Sequence, residues 1–400
     1  MEGSKVKPAM AYKKFQSEQL FTGYELLDRD QILITDQEGK IEGIVPAADA
    51  GDGIQHVDGI LSPGFINCHC HLELSHLKNV IPPGTGLIEF LCSVVTKRNF
   101  DPQLIQEEIV KAEKEMYDNG IVAVGDIGNT ADTAEVKSKS NIFWQNFVEV
   151  LSFTDEKAEE NIKHFQSVLE ALNKIRNPKS EIRSSLVPHA PYSISPKTFK
   201  LINELTRDQI ISMHNQEHPA EDELYKTGGG DYLRLFRIFG VNQSPFPVTG
   251  KSSIRSSLPY FNNGQTILLI HNTYMGEEDI VFAQDCANKN NLTLVFCFCP
   301  NANLYIENKL PPIDLFVKHD CLLVLGTDSY SSNWELSIAR EIEAIKKHRP
   351  EIPLTTILQW ATINGAKALQ WDDQLGSFEK GKKPGVTLLD PAHWTSKKLV

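Results

Sequence analysis

The sequence predicts an α/β protein: a (β/α)8 TIM-like barrel over residues 61–370, beside a small discontinuous β-sandwich domain formed by residues 1–60 and 371–400. Three observations predict it. Short apolar runs recur through the middle of the chain, spaced widely enough for helices between them, which is the pattern of a parallel sheet. Several of these runs close on a histidine or an aspartate, and strand ends are where a barrel places its chemistry. Both ends of the chain read instead as short strands and turns.

Taken in order, the first elements are Gln31-Ile32-Leu33-Ile34-Thr35 and Ile41-Glu42-Gly43-Ile44-Val45. They flank a turn of Asp36, Glu38 and Gly39, a hairpin pattern. The first barrel strand is the run ending at Ile66. Seven more follow: Ile121 to Ile127, Ile142 to Val150, Ile182 to Val187, Ile210 to Met213, Thr266 to Ile270, Leu292 to Phe298 and Leu322 to Leu325. Helices fill the gaps. Asp101-Pro102 opens one, with an N-cap carboxylate and proline at the first turn, and Gly120 closes it. Residues Pro353 to Thr362 read as another helix. The stretch from Gly228 to Pro259 is the least regular, a loop-rich insertion of the kind that shapes pockets. Thr249-Gly250-Lys251-Ser252 within it imitates a phosphate-binding loop, but Pro245 stands where the first glycine belongs, and no strand leads in. After Gly376 the chain returns to β style with Val386-Thr387-Leu388-Leu389-Asp390.

Composition narrows the function classes. A hydrophobic fraction of 41% over 400 residues supplies a large core. No window reaches the roughly eighteen apolar residues of a membrane span. The first residues, Met1 to Lys7, lead into no apolar run, so no signal peptide is expected. A net charge of −12 argues against a nucleic-acid partner, which needs a basic surface. Seven cysteines, an odd number, disfavour a closed disulfide framework, and the expected location is a reducing cytoplasm. Cys68 with Cys70, and Cys297 with Cys299, have the chemistry of a soft metal site. The expectation is that they are small buried residues, as free cysteine usually is.

The chemistry begins with His69 and His71. In a strand, side chains one residue apart point the same way, so two imidazoles stand side by side at a strand end. His214, His271 and Asp328 close three later apolar runs. Any one of these could be an ordinary polar residue at a strand end. Five together indicate a metal site.

Pro63-Gly64-Phe65-Ile66-Asn67-x-His69-x-His71 resembles the opening motif of the amidohydrolase superfamily. His214-Asn215-Gln216-Glu217 resembles the H-x-x-E of its aminohydrolases, and Gly326-Thr327-Asp328-Ser329 their eighth-strand segment. His271 matches the sixth-strand histidine. Cys299-Pro300-Asn301-Ala302-Asn303 resembles a further motif, with Ala302 where serine is usual. Residues Gly376 to Gly385 are similar to the terminal G-S-x-x-x-G-K segment, with Pro384-Gly385 replacing the usual pair. The resemblance implies that His69, His71, His214 and Asp328 hold one divalent metal. Zn²⁺ suits that donor set, with Fe²⁺ as the alternative. It implies that His271 orients an activated water, that Asp328 accepts its proton, and that Glu217 shuttles a proton to a ring nitrogen. Glu221 and Glu223 read as surface acids.

Pro188-His189-Ala190-Pro191-Tyr192-Ser193 resembles the H-A-P-Y segment of adenosine-type and S-adenosylhomocysteine-type deaminases, which makes His189 a substrate contact. The R-F-x-P-T pattern of guanine deaminases is missing. His71-Leu72-Glu73-Leu74-Ser75 and the following Gly86 to Arg98 resemble 6-aminodeoxyfutalosine deaminases, with Leu74 in place of phenylalanine. Glu89 is then a candidate ribose contact, and Arg98 and Arg255 are candidates for a substrate carboxylate. The activity implied is metal-dependent deamination of the adenine-type amino group of a modified nucleoside, with 6-aminodeoxyfutalosine the named candidate. Hydrolysis of a guanidine or triazine carbon–nitrogen bond, or a non-catalytic barrel that keeps its metal shell, are the alternatives. The expected partner is a small-molecule substrate, in a chain that is a candidate homodimer.

Overall fold

Eight parallel strands fill the middle of the chain in the computed structural model, which describes residues 12–244 and 246–400. The readings made on Met1 to Lys7 and on Pro245 lie outside the described residues. The strands are β1 (Phe65–Cys70), β2 (Ile121–Gly128), β3 (Phe143–Val150), β4 (Ile182–Pro188), β5 (Ile210–Asn215), β6 (Thr266–His271), β7 (Thr293–Phe298) and β8 (Leu323–Leu325). Each is buried along most or all of its length, which is why each reads as an apolar run rather than an alternating one. They form two four-stranded sheets, in the orders β4-β3-β2-β1 and β5-β6-β7-β8. In the second sheet Met213, Leu269, Phe296 and Leu323 stand opposite one another in register, one row of the core.

Hydrogen bonds cross both seams between the two sheets. Ser185 Oγ donates to the Ile210 carbonyl at 2.6 Å, joining β4 to β5. The amides of Thr327 and Asp328 both donate to the His69 carbonyl at 3.0 Å, joining the end of β8 to β1. That second approach requires Gly326. A Cβ there would lie 2.7 Å from His69 Cβ and 3.0 Å from the sulfurs of Cys297 and Cys299.

Helices connect the strands, and their ends follow local chemistry. Helix Pro102–Asp118 starts where Asp101 accepts the Gln103 amide at 2.8 Å with proline at its first position. It stops before Gly120, whose φ of +80° only glycine adopts freely. The late helix runs over Leu354–Ala361. The 228–259 insertion is more ordered than its composition predicts, because it carries helices Tyr232–Ile238 and Ser253–Ser257. Among the described residues no helix is long and apolar enough to cross a membrane. All seven cysteines are free, with Cys68, Cys70, Cys297 and Cys299 buried.

Two small sheets lie outside this core. Gln31–Thr35 and Ile41–Pro46 pair antiparallel as the hairpin pattern predicts, in a four-stranded sheet with Lys13–Gln16 and Ile54–His56. A five-stranded sheet draws on both ends of the chain. Its Val386–Asp390 strand pairs antiparallel with Ile60–Pro63, Leu388 opposite Leu61. Phe15, Leu33 and Ile41 of the first sheet share one apolar cluster with Leu61, Val386 and Leu388 of the second. Strand Ile60–Pro63 belongs whole to this second sheet, so the expected division after residue 60 cuts through it.

Candidate active site

The five ligand-type residues converge at the C-terminal ends of the strands. His69 lies in β1 and His71 follows it; His214 lies in β5, His271 ends β6, and Asp328 follows β8. Ligand atoms of His69, His214 and His271 lie within 4.8 Å of one another, as do those of His69, His71 and Asp328. Asp328 Oδ1 is 3.5 Å from Nε2 of both His69 and His71. Every one of these side chains is buried. The backbone is strained to bring them there. His271, Asn272 and Asp328 have φ of +68°, +55° and +58°, and Gln216 beside the site has +41°. Such conformations cost about 1–3 kcal/mol each in non-glycine residues and concentrate at functional sites. Side chains hold them in place. Asn215 donates to Asn272 at 2.9 Å, Asn272 to the Leu269 carbonyl at 2.8 Å, and Ser332 to Asp328 Oδ2 at 2.7 Å.

The donor chemistry fits a divalent cation. Both ring nitrogens of His69 are buried without a hydrogen-bond partner, a costly state that a bound cation would relieve for the nitrogen facing Asp328. His214 Nδ1 donates to the His189 carbonyl at 2.8 Å, which leaves Nε2 as the ligand atom. That Nε2 lies 3.4 Å from His71 Nε2, close enough for one cation to be shared by both rings. Burial, then the neighbouring imidazoles, pushes His214 well below the usual histidine range. Burial also lowers His69, and takes His271 to about 3. For Asp328 burial works upward, but the His69 ring 3.5 Å away and the fields of His71 and His271 hold it well below the usual carboxylate range. Neutral imidazoles with an ionised carboxylate are the protonation states that bind a metal.

Glu217 stands beside this cluster, with Oε1 3.6 Å from His271 Nε2. It is buried, and burial, then Asp328, Glu221 and Glu307, raises its pKa well above the ordinary value. Both effects favour the protonated form of this acid. Glu221 corrects an expectation. It is fully buried rather than a surface acid, because it starts helix Pro219–Thr227 under the Ser253 hydroxyl, which donates to it. Burial raises it to about 8, against the pull of Ser253 and of the Gln216 and Glu217 amides. Glu223, two residues on, is exposed as expected.

An open-mouthed cavity leads to this cluster. His71, His214, Glu217, His271 and Asp328 form its floor, and His189 and Arg98 stand on its walls. His189 Nδ1 donates to Glu149 Oε2 at 2.6 Å, and Tyr192 OH lies 3.3 Å from Nε2. Burial works to raise Glu149, but His189 overrides it and brings the carboxyl to about 2. Asn129 Nδ2 donates to Glu149 at 2.9 Å. Arg98 Nη2 donates to Glu73 at 3.1 Å and to Asn129 at 3.2 Å. Glu73 in turn accepts the Asn129 and Thr130 amides at 3.1 Å. This polar chain fixes His189. Sequence reasoning missed Glu149 and gave Glu73 no role, although an acid near the end of the apolar run of β3 was a signal. Facing it is an apolar wall of Leu87, Phe90, Leu91 and Val94 from helix Leu87–Lys97, with Leu235 and Phe239.

Two sequence candidates fall outside the cavity. Glu89 points away from the buried face of its helix and pairs on the surface with Arg234 at 2.9 Å. Arg255 does not line the cavity either. Its Nε donates to Asp279 Oδ1 at 2.6 Å, and Nη2 lies 3.4 Å from Glu278.

The family model for the amidohydrolase family matches residues 60–398, from the shared strand at Ile60 to the last strand. The chain is 23% identical over 366 residues to the 5′-deoxyadenosine deaminase of Methanococcus vannielii, covering 87% of this chain and 79% of that one. It is 23% identical over 418 residues to the 5-methylthioadenosine/S-adenosylhomocysteine deaminase of Caldanaerobacter subterraneus, covering 91% and 84%. Its fold is similar to that of the Helicobacter pylori aminofutalosine deaminase solved with methylthio-coformycin. The TM-score is 0.75 at 22% identity, over 94% of this chain and 92% of that one. A site of four histidines and an aspartate at strand ends and a family match over most of the length agree: this chain belongs to the amidohydrolase family.

Proposed function

We propose that this protein hydrolytically deaminates the adenine-type amino group of a modified nucleoside. The observation that carries the reading is Glu217, a buried acid that faces the ligand cluster from the cavity floor, where burial and neighbouring carboxylates favour its protonated form. In this reading the two four-stranded sheets, bridged at both seams, close into one (β/α)8 barrel, and the terminal sheets form one β-sandwich domain. His69, His71, His214 and Asp328 hold one divalent ion, with zinc the expected identity. When bound, such an ion lowers the pKa of a water and so supplies a nucleophile at neutral pH.

The protein groups carry the remaining work. His271 orients the water against the amino-bearing ring carbon. Glu217 donates its proton to the adjacent ring nitrogen as the carbon–oxygen bond forms. Asp328, ionised by its imidazole neighbours, accepts the proton the water gives up. Proton return to the amino group lets the carbon–nitrogen bond break, and ammonia leaves. His189, held by Glu149 and Tyr192, contacts the base. The names of the relatives support an adenine-type nucleoside, and the 6-aminodeoxyfutalosine reading adds Arg98 as the partner of a substrate carboxylate. Among the described residues lining the cavity, Arg98 is the one lysine or arginine.

The test is a panel of 5′-deoxyadenosine, 5′-methylthioadenosine, S-adenosylhomocysteine, adenosine and 6-aminodeoxyfutalosine. Each is incubated with metal-loaded protein, following loss of adenine absorbance and release of ammonia. At least one should be converted with ammonia in equal amount. Turnover of none of them would contradict the reading.

A further inference from the structure

Arg255 lies outside the cavity over the ligand cluster, yet it is tied to Glu217 by a short chain of contacts. Gln216, the residue before Glu217, is buried and held at a φ of +41°. A non-glycine residue stays in that region only when its surroundings over-determine it. Here they do. The Gln216 carbonyl accepts the Tyr274 amide at 2.8 Å. Its side-chain Nε2 donates to Asp279 Oδ2 at 2.9 Å and to Asp222 Oδ1 at 3.2 Å. Asp279 Oδ1 accepts Ser252 Oγ at 2.8 Å and Arg255 Nε at 2.6 Å. Asp222 Oδ1 also accepts the Ser253 amide at 2.9 Å, and Ser253 Oγ donates to Glu221 beneath the same turn. Ser252, Ser253 and Arg255 all come from one short stretch of the 228–259 insertion, at and inside helix Ser253–Ser257.

We infer that Arg255, through Asp279 and Gln216, is a positioning residue that fixes the Glu217 carboxyl at its working place, with Ser252 as a second brace. This rests on the reading of Glu217 as the proton donor. A carboxylate given two donors on one oxygen is held in one orientation, so its other oxygen presents a fixed acceptor to Gln216. That acceptor offsets the strain of the turn, and the turn sets where Glu217 points. The insertion thus serves the chemistry from outside the cavity, by holding a backbone rather than by touching substrate.

The inference is tested with Arg255→Ala, Arg255→Lys, Gln216→Gly and Glu217→Gln, and the double variant of Arg255→Ala with Glu217→Gln. The substrate is the nucleoside of the panel above that is turned over fastest. Arg255→Ala should lower kcat by about 10- to 100-fold, the scale of a misplaced reacting group, with KM within about threefold. Arg255→Lys should recover most of that loss. Gln216→Gly relaxes the strained φ, so its Tm should hold or rise while kcat falls like that of Arg255→Ala, which separates positioning from folding. In the Glu217→Gln background, Arg255→Ala should add less than about threefold, because both changes act on one group. Wild-type kcat in Arg255→Ala and Gln216→Gly, or multiplicative losses in the double variant, would overturn the inference while the Glu217 reading stands. If Arg255→Ala fails to fold, Gln216→Gly alone decides by the same criterion. Wild-type rates in Glu217→Gln would overturn that reading and this inference together.

Discussion

Gly326→Ala should cost this protein its metal before it costs the fold. The added Cβ would lie 2.7 Å from His69 Cβ and 3.0 Å from the Cys297 and Cys299 sulfurs. Carbon atoms rest at roughly 3.5–4.0 Å, so one side must yield by about 1 Å. The two cysteines are fully buried on β7 and its end, and β7 is paired on both sides. His69 carries unpartnered ring nitrogens and is held mainly through its backbone, so it is the group that moves. Metal sites tolerate only about 0.2 Å of error in ligand distance. Overpacking of this kind costs about 1–3 kcal/mol of stability, within what a chain of this size survives. Elemental analysis after dialysis against a weak chelator should show about one metal per chain in the parent protein and well under half in the variant. Thermal unfolding should show a fold still present. Full metal content in a folded Gly326→Ala protein would refute the placement of His69 as a ligand.

Glu217→Gln should keep the metal, since Glu217 is not among the ligands, and lower turnover by about 10²–10⁴-fold in steady-state assays. The raised pKa of Glu221, about 8 against an ordinary 4.5, makes stability pH-dependent. The folded state prefers the protonated acid, so its contribution is full below pH 4.5 and declines as pH rises to about 8, then levels off. At about 1.4 kcal/mol per unit the decline is a few kcal/mol, and denaturant titrations of Glu221→Gln should show a flatter pH profile than the parent. If 6-aminodeoxyfutalosine is the substrate, it should exceed adenosine by at least about tenfold in kcat/KM, roughly 1.4 kcal/mol. Arg98→Ala should abolish that preference, and Arg255→Ala should lower both substrates alike. A preference untouched by Arg98→Ala would count against the carboxylate contact.

Much of the fold is legible in the sequence because buried parallel strands leave continuous apolar runs. Seven of the eight runs are strands that differ only at their ends, and the first, ending at Ile66, divides between Ile60–Pro63 of the terminal sheet and β1. β5 and β6 extend to Asn215 and His271, because a ligand at a strand end still makes the ladder hydrogen bonds of the strand. The ligand-type residues were visible for the same reason, each closing its run. What stayed hidden depends on partners distant in sequence. Arg98 meets Glu73 across 25 residues, and His189 meets Glu149 across 40. No local pattern announces either pair. Glu221 looks like any acid in the first turn of a helix, and only the packing of helix Ser253–Ser257 over it buries its carboxyl. Arg255, in a polar and irregular stretch, reads as a free cation until Asp279 is known to face it.

The most direct test of the deaminase account is the fate of oxygen in a single reaction. The metal-loaded protein is incubated with the converted nucleoside in ¹⁸O-labelled water, and product and ammonia are measured together. The account predicts that the amino group is replaced by one labelled oxygen on the ring carbon, with ammonia released in equal amount and the rest of the nucleoside intact. Unlabelled product, or cleavage elsewhere in the molecule without ammonia, would contradict it.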